Sequence, residues 1–68
     1  MSKSVYKTID IIGSSPNSID EAIEGAVAKA AKTVKHLNWF EVSEIRGHIE
    51  DNKIAHYQVA MKLGFRLE

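Results

Sequence analysis

Residues 4–12, "SVYKTIDII", alternate in polarity, with Val5, Ile9 and Ile11 on one face and Tyr6, Thr8 and Asp10 on the other. A period of two in a run rich in Val, Ile, Tyr and Thr predicts a β-strand. Lys7 shares the apolar parity, and its methylene stem can follow a core edge while the ammonium reaches water. The single proline sits in "GSSPNS" (13–18), which separates this strand from a segment of different period. There Ile19, Ala22, Ile23, Ala26, Val27, Ala30, Val34 and Leu37 recur at i, i+3, i+4 and i+7, the signature of a helix with one buried stripe. Ser18 and Glu21 have the spacing of a capping box, in which hydroxyl and carboxylate each satisfy a free N–H at the helix start. Acidic Asp20, Glu21 and Glu24 open the helix and Lys32, Lys35 and His36 lie near its end, complementing its dipole. The stripe is rich in alanine, so whatever covers it approaches closely. Asn38 is expected to take the left-handed conformation that ends the helix.

From Trp39 the pattern is extended, but Phe40 and Val42 have one parity and Ile45 and Ile49 the other. A β-bulge between Ser43 and Ile45 would reconcile them and put all four on the helix side. "EDNK" (50–53) reads as the reversal, since Asp51 and Asn52 both tolerate turn conformations. In "KIAHYQVAMKLGFRLE", Ala55, Tyr57, Val59, Met61, Leu63, Phe65 and Leu67 alternate inward against His56, Gln58, Lys62 and Arg66. The predicted class is α+β, with the order β-α-β-β. For the sheet to be wholly antiparallel, the third strand must lie in its middle. A helix on one face leaves the other open, carrying Tyr6, Trp39, Glu41, Glu44, Arg46, His48, His56, Gln58, Lys62 and Arg66.

Sixty-eight residues make a single domain spanning 1–68, and a core of that size supplies only roughly 3–5 kcal/mol unaided. There is no cysteine for a disulfide or a Cys-based zinc site, so self-association is the expected support. Nine basic residues balance nine acidic ones, which leaves no net field for nucleic acid. No apolar run approaches the roughly 18 residues of a membrane span, and "MSKSVYKT" has no apolar signal core. The expectation is a cytoplasmic protein without nucleic-acid or membrane partners.

The sequence has no Ser-His-Asp, Cys-His, HExxH or Gly-rich phosphate-loop pattern, and an enzymatic role is not expected. His48 and His56 could meet across the hairpin beside Glu50 or Glu41, but two ligands in an unfixed register specify no metal geometry, and solvated strand histidines are the simpler expectation. Trp39 is more informative. With Phe40 pointing inward, Trp39 points away from the helix, where its large apolar ring needs a partner subunit, a flat ligand, or both. Gln58 offers donor and acceptor together for the edge of a heterocycle, and Arg46 a fork for phosphate or carboxylate. Together the three describe a pocket for an aromatic, anionic ligand.

The stretches "VYKTIDIIGSSPNSIDEAIEGAVAKAAKTV", "NWFEVSEIRGHIED" and "YQVAMKLGFRLE" resemble the dodecins over nearly the whole chain, the W-F-E-V-x-E-I-R-G segment most specifically. The resemblance implies a three-stranded antiparallel sheet wrapped around one helix, twelve copies forming a hollow homododecamer, and flavin bound without catalysis. It assigns Trp39 to stacking, in a pair of flavins held between two tryptophans across a two-fold axis. Gln58 falls on the glutamine that bonds the ring edge, and Arg46 on the arginine beside the flavin in bacterial members. Flavin mononucleotide is favoured by Arg46, with riboflavin the alternative. Some bacterial members also bind coenzyme A, and the outward Tyr6 and Arg66 are candidates for contact with phosphate or coenzyme A. The implied role is flavin sequestration, storage or photoprotection. The competing expectations are a small structural subunit in which Trp39 only glues copies together, and a small flavoenzyme with one open flavin face.

Overall fold

A computed structural model describes residues 3–67; Met1, Ser2 and Glu68, at the ends of the stretches read above, lie outside the described residues. The elements run β1 (Tyr6–Ser15), α1 (Ile19–Ala30), β2 (Leu37–Glu50) and β3 (Lys53–Arg66). The sheet has the order β1-β3-β2 with both pairings antiparallel, so the third strand occupies the middle as the alternation required.

β1 runs farther than its apolar alternation, taking in Gly13, Ser14 and Ser15 from the segment expected to be a separator. The reason is Ser15, which is buried and ties the strand end to the helix start. Ser18 Oγ accepts from the Glu21 N–H at 3.0 Å, the first half of the capping box. The second half is relayed: the Ser18 N–H donates to Ser15 Oγ (3.2 Å), and the Ser15 hydroxyl donates to Glu21 Oε2 (2.7 Å). Asn17 completes the knot, its N–H donating to Ser15 Oγ at 2.9 Å and its Nδ2 to Glu21 Oε2 at 2.9 Å.

The helix stops at Ala30, short of the expected end. Lys32 N–H donates to Lys29 O and Thr33 N–H to Ala30 O, a tightened last turn. His36, not Asn38, takes the left-handed conformation (φ 65°), and Leu37 opens β2 opposite Phe65. Leu37 thus belongs to the apolar stripe by spacing but to the sheet by pairing, and the strand partner wins.

The core forms where α1 meets β1 and β3. Val59, Met61 and Leu63 of the central strand are buried with Ala22, and Ile9, Ile11, Ile19, Ile23, Ala26, Val27, Ala30 and Leu37 pack around them. Alanine lets the helix come close, and Gly13 of β1 lets it come closer. A Cβ at Gly13 would run into the Ala22 carbonyl oxygen and lie 2.9 Å from Ala26 Cβ. The backbone of α1 stays clear of β2, and side chains at its edge, Ile19 and Val27, only border hollows that β2 residues also line. The expected bulge is present: Ser43 is skipped in the pairing between Val42↔Met61 and Glu44↔Ala60, and its hydroxyl donates to Ala60 O at 3.1 Å. Phe40, Val42 and Ile45 therefore pair with Leu63, Met61 and Val59 on the core face, as the parity required. They do not fill the core, because the helix lies to one side and covers them only in part: Phe40 is 51% exposed, Ile45 55% and Ile49 68%.

Two further irregularities were not foreseen. Asn38 is skipped between Leu37↔Phe65 and Trp39↔Gly64, and Ala55 between His48↔His56 and Ile49↔Ile54. The second interrupts the alternation expected through β3 and lets Ile54 join Ile49, Ile45 and Ile19 around one apolar hollow. Asp51 (φ 51°) and Asn52 (φ 64°) close the hairpin as a two-residue turn, as expected of "EDNK".

Gly13→Ala should destabilise the fold by about 1–3 kcal/mol through overpacking against α1. Gly25→Ala, on an open helix position with nothing within 4 Å of the new methyl, should instead stabilise by about 0.5–1 kcal/mol. Denaturant unfolding of both variants checks the pair, and shifts of the same sign would refute the packing argument.

Candidate functional site

The face of the sheet away from α1 carries every polar candidate in register. Across β1, β3 and β2 the rows read Thr8, Gly64, Trp39; Asp10, Lys62, Glu41; Ile12, Ala60, Glu44; and Ser14, Gln58, Arg46, with Tyr6 and Arg66 paired at one end and His48 and His56 toward the hairpin. Antiparallel partners point to the same side, so this surface follows from the register.

Trp39 stands on β2 opposite Gly64 of β3. A Cβ built on Gly64 would fall onto Cε2, Cζ2 and Cη2 of the indole, three ring atoms nearly equidistant from it. The indole therefore lies face-on across the outer surface of β3. Tyr6 of β1 lies beside it, with ring centroids 5.3 Å apart and planes at 66°, an edge-to-face contact. The outward direction expected for Trp39 is confirmed, and the skip at Asn38 produces it, since Leu37 and Trp39 would otherwise share a parity. At 39% exposure the indole keeps part of its surface open.

Arg46 and Gln58 are cross-strand partners joined side chain to side chain, with Arg46 Nε donating to Gln58 Oε1 at 3.0 Å. Because a guanidinium only donates, this contact turns the Gln58 NH₂ away from Arg46. Arg46 Nη1 also faces Glu44 Oε1 at 3.6 Å; both side chains are exposed, so this pair adds little stability. Lys62 and Asp10 form a similar surface pair at 3.6 Å.

One chain does not bring these groups into a single pocket. Gly64, under the indole, and Gln58 are six residues apart on β3, about 20 Å at ~3.3 Å per residue. Tyr6, Trp39 and Arg66 cluster at one end of the sheet, while Arg46 and Gln58 lie near its middle. The single pocket expected from the sequence is thus, within one chain, two separate clusters.

His48 and His56 stack across the hairpin, centroids 5.4 Å apart at 18°, with Glu50 Oε2 3.7 Å from His48 Nε2. Among the described residues no group of three or more His, Cys, Asp and Glu could hold a metal ion. Sequence reasoning missed Gly64 as part of the site. Its signal was a glycine at an outward position of a central strand, where close approach of another group is a standard reason for the missing side chain.

The chain belongs to the dodecin family: the family model named Dodecin matches residues 5–68. It is 48% identical over 64 residues to the dodecin of Thermus thermophilus, covering 94% of this chain and 93% of that protein. The structure of dodecin from Streptomyces coelicolor superposes with a TM-score of 0.94 at 48% identity, covering 100% of this chain and 97% of that one. A more distant likeness is the calcium dodecin of Mycobacterium tuberculosis, TM-score 0.82 at 35% identity, covering 96% and 93%. The family places the chain among small, self-associating ligand-binding proteins. Among the described residues no helix is long and apolar enough to cross a membrane.

The apolar residues that β2 leaves exposed on the core face are the surface on which self-association is expected to find its contact. Ile45→Asp should therefore lower the particle mass in solution, since a carboxylate buried between copies costs several kcal/mol or leaves the contact unmade. Light scattering or native mass measurement checks this, and an unchanged assembly would show that Ile45 faces solvent.

Proposed function

We propose that the protein sequesters or stores flavin, with protection from light as a consequence, and catalyses no reaction on it. The observation that carries this reading is the indole of Trp39, laid flat on β3 on the open face of the sheet. A flat apolar plate with one side available suits an extended heteroaromatic ring, because offset stacking combines dispersion with removal of apolar surface from water. The fit extends to the second half-site. The Gln58 NH₂ can donate to a ring carbonyl, and Arg46 keeps guanidinium N–H groups for a phosphate. Their separation from Trp39 within one chain supports a composite site, with the plate from one copy and the amide and guanidinium from another. A two-fold relation between copies would set two Trp39 plates face to face around a pair of flavins in a homododecamer. Such a stack leaves no open flavin face for a substrate, which argues against the flavoenzyme reading.

Flavin mononucleotide is the proposed ligand, ahead of riboflavin, because Arg46 supplies a charge for the phosphate. Tyr6 and Arg66, paired at the end of the sheet, are the proposed contacts for a phosphate or for coenzyme A, Tyr6 doing so from beside the Trp39 ring. The cytoplasm is the proposed location.

Trp39→Ala should weaken flavin binding at least about tenfold, since each lost stacking contact is worth about 0.5–1.5 kcal/mol beyond its buried area and a two-fold site loses two. The oligomer should persist and residual bound flavin should fluoresce more strongly, its indole electron donor being gone. Titration, emission yield and particle mass on one preparation test this. Disassembly would favour the structural-subunit reading, and unchanged affinity and quenching would refute the stacking role.

Arg46→Ala should weaken both flavins by freeing Gln58, and flavin mononucleotide by a further charge-assisted bond of about 1.5–3 kcal/mol. Parallel titrations with riboflavin check it. Equal losses would confine Arg46 to orienting Gln58 and remove the basis for preferring the phosphorylated flavin.

A further inference from the structure

Trp39 spans from β2 over β3 to a side chain on β1, and it can do so at one place only. The other outward positions in this stretch of β3, Gln58, Ala60, Lys62 and Arg66, all carry a Cβ; Gly64 does not. Gly64 is buried beneath the ring, and a methyl there would overlap Cε2, Cζ2 and Cη2 together, so the ring could not remain face-on. Tyr6 packs against the indole from β1, at a centroid distance of 5.3 Å and an angle of 66°. No glycine of the described residues has a positive φ, so position 64 is empty for space and not for backbone freedom.

We propose that Gly64 and Tyr6 form a seat that fixes the plane of the Trp39 indole before any ligand arrives, and that this preorganisation sets the strength of stacking. Both are positioning residues acting through Trp39. The ligand half of the proposal rests on the flavin-stacking reading above; the seat itself concerns the unliganded protein. A ring already held in its binding orientation loses little rotamer freedom when a ligand lands, and a released ring must be reordered each time.

Trp39 is the only tryptophan in the chain, so its near-ultraviolet circular dichroism and the quenching of its emission by acrylamide report the seat directly, without flavin. The test uses the assembled full chain as wild type, Gly64→Ala, Tyr6→Ala, Tyr6→Phe and Trp39→Ala, with riboflavin as probe and particle mass recorded throughout. Gly64→Ala is expected to retain the assembly, weaken the indole dichroism, raise acrylamide quenching and reduce riboflavin affinity at least tenfold. Tyr6→Ala should move the same signals, with an affinity loss of about three- to tenfold for a lost edge-to-face contact. Tyr6→Phe should recover most of that loss, because it keeps the aromatic ring that packs against the indole. If Gly64→Ala fails to assemble, the two Tyr6 variants decide alone. The seat is overturned if the unliganded indole signals of the assembled variants match wild type. Its role in binding is overturned if those signals change while riboflavin affinity stays within twofold of wild type and Trp39→Ala abolishes binding. Wild-type affinity in Trp39→Ala would instead overturn the stacking reading, and the seat would then stand or fall on the unliganded indole signals.

Discussion

A 12-residue helix has to cover a sheet whose two longest strands have 14 residues each. At 1.5 Å per residue the helix is about 18 Å long, whereas the strands reach about 46 Å. One helix can bury only part of one face, and it does so over β1 and β3, where Gly13 and the alanines of α1 allow close contact. β2 is left with Phe40, Ile45 and Ile49 on the core face and more than half exposed. That shortfall is why a chain of 68 residues without disulfides belongs with proteins that complete their cores by self-association.

The same shortfall shapes the site. The chain extends 55 Å along its long axis and holds Trp39 and Gln58 about 20 Å apart along β3, so the composite site proposed above would join ligand recognition to assembly. In that proposed site a change on the apolar face of β2 that loosens the assembly would also take Trp39 of one copy away from Gln58 of another.

Two strand glycines do matching work on opposite faces. Gly13 admits the helix backbone on the inner face, and Gly64 admits the Trp39 ring on the outer one. Gly13 brings α1 down onto the core strands, while Gly64 turns a side chain that would project into solvent into a plate lying on the sheet. The Arg46–Gln58 hydrogen bond gives the second half-site a comparable order, fixing which way the amide faces.

The sequence by itself determined the element order, the central place of β3, a bulge between Ser43 and Ile45, the turn at Asp51–Asn52 and, Ala55 apart, which strand residues share a face. All of these follow from side-chain periodicity and turn chemistry, which are local and written in consecutive residues. Its stretches also carried the family resemblance that the comparisons bear out. Tertiary structure alone decided where α1 stops, because Leu37 satisfies the helix stripe and the sheet ladder equally and only pairing with Phe65 breaks the tie. It also decided the skips at Asn38 and Ala55, the relay through Ser15 that replaces half of the capping box, and the distance between Trp39 and Gln58. Parity assigns a residue to a face but says nothing of position along the strand, and the space above Gly64 exists only once β2 is laid beside β3.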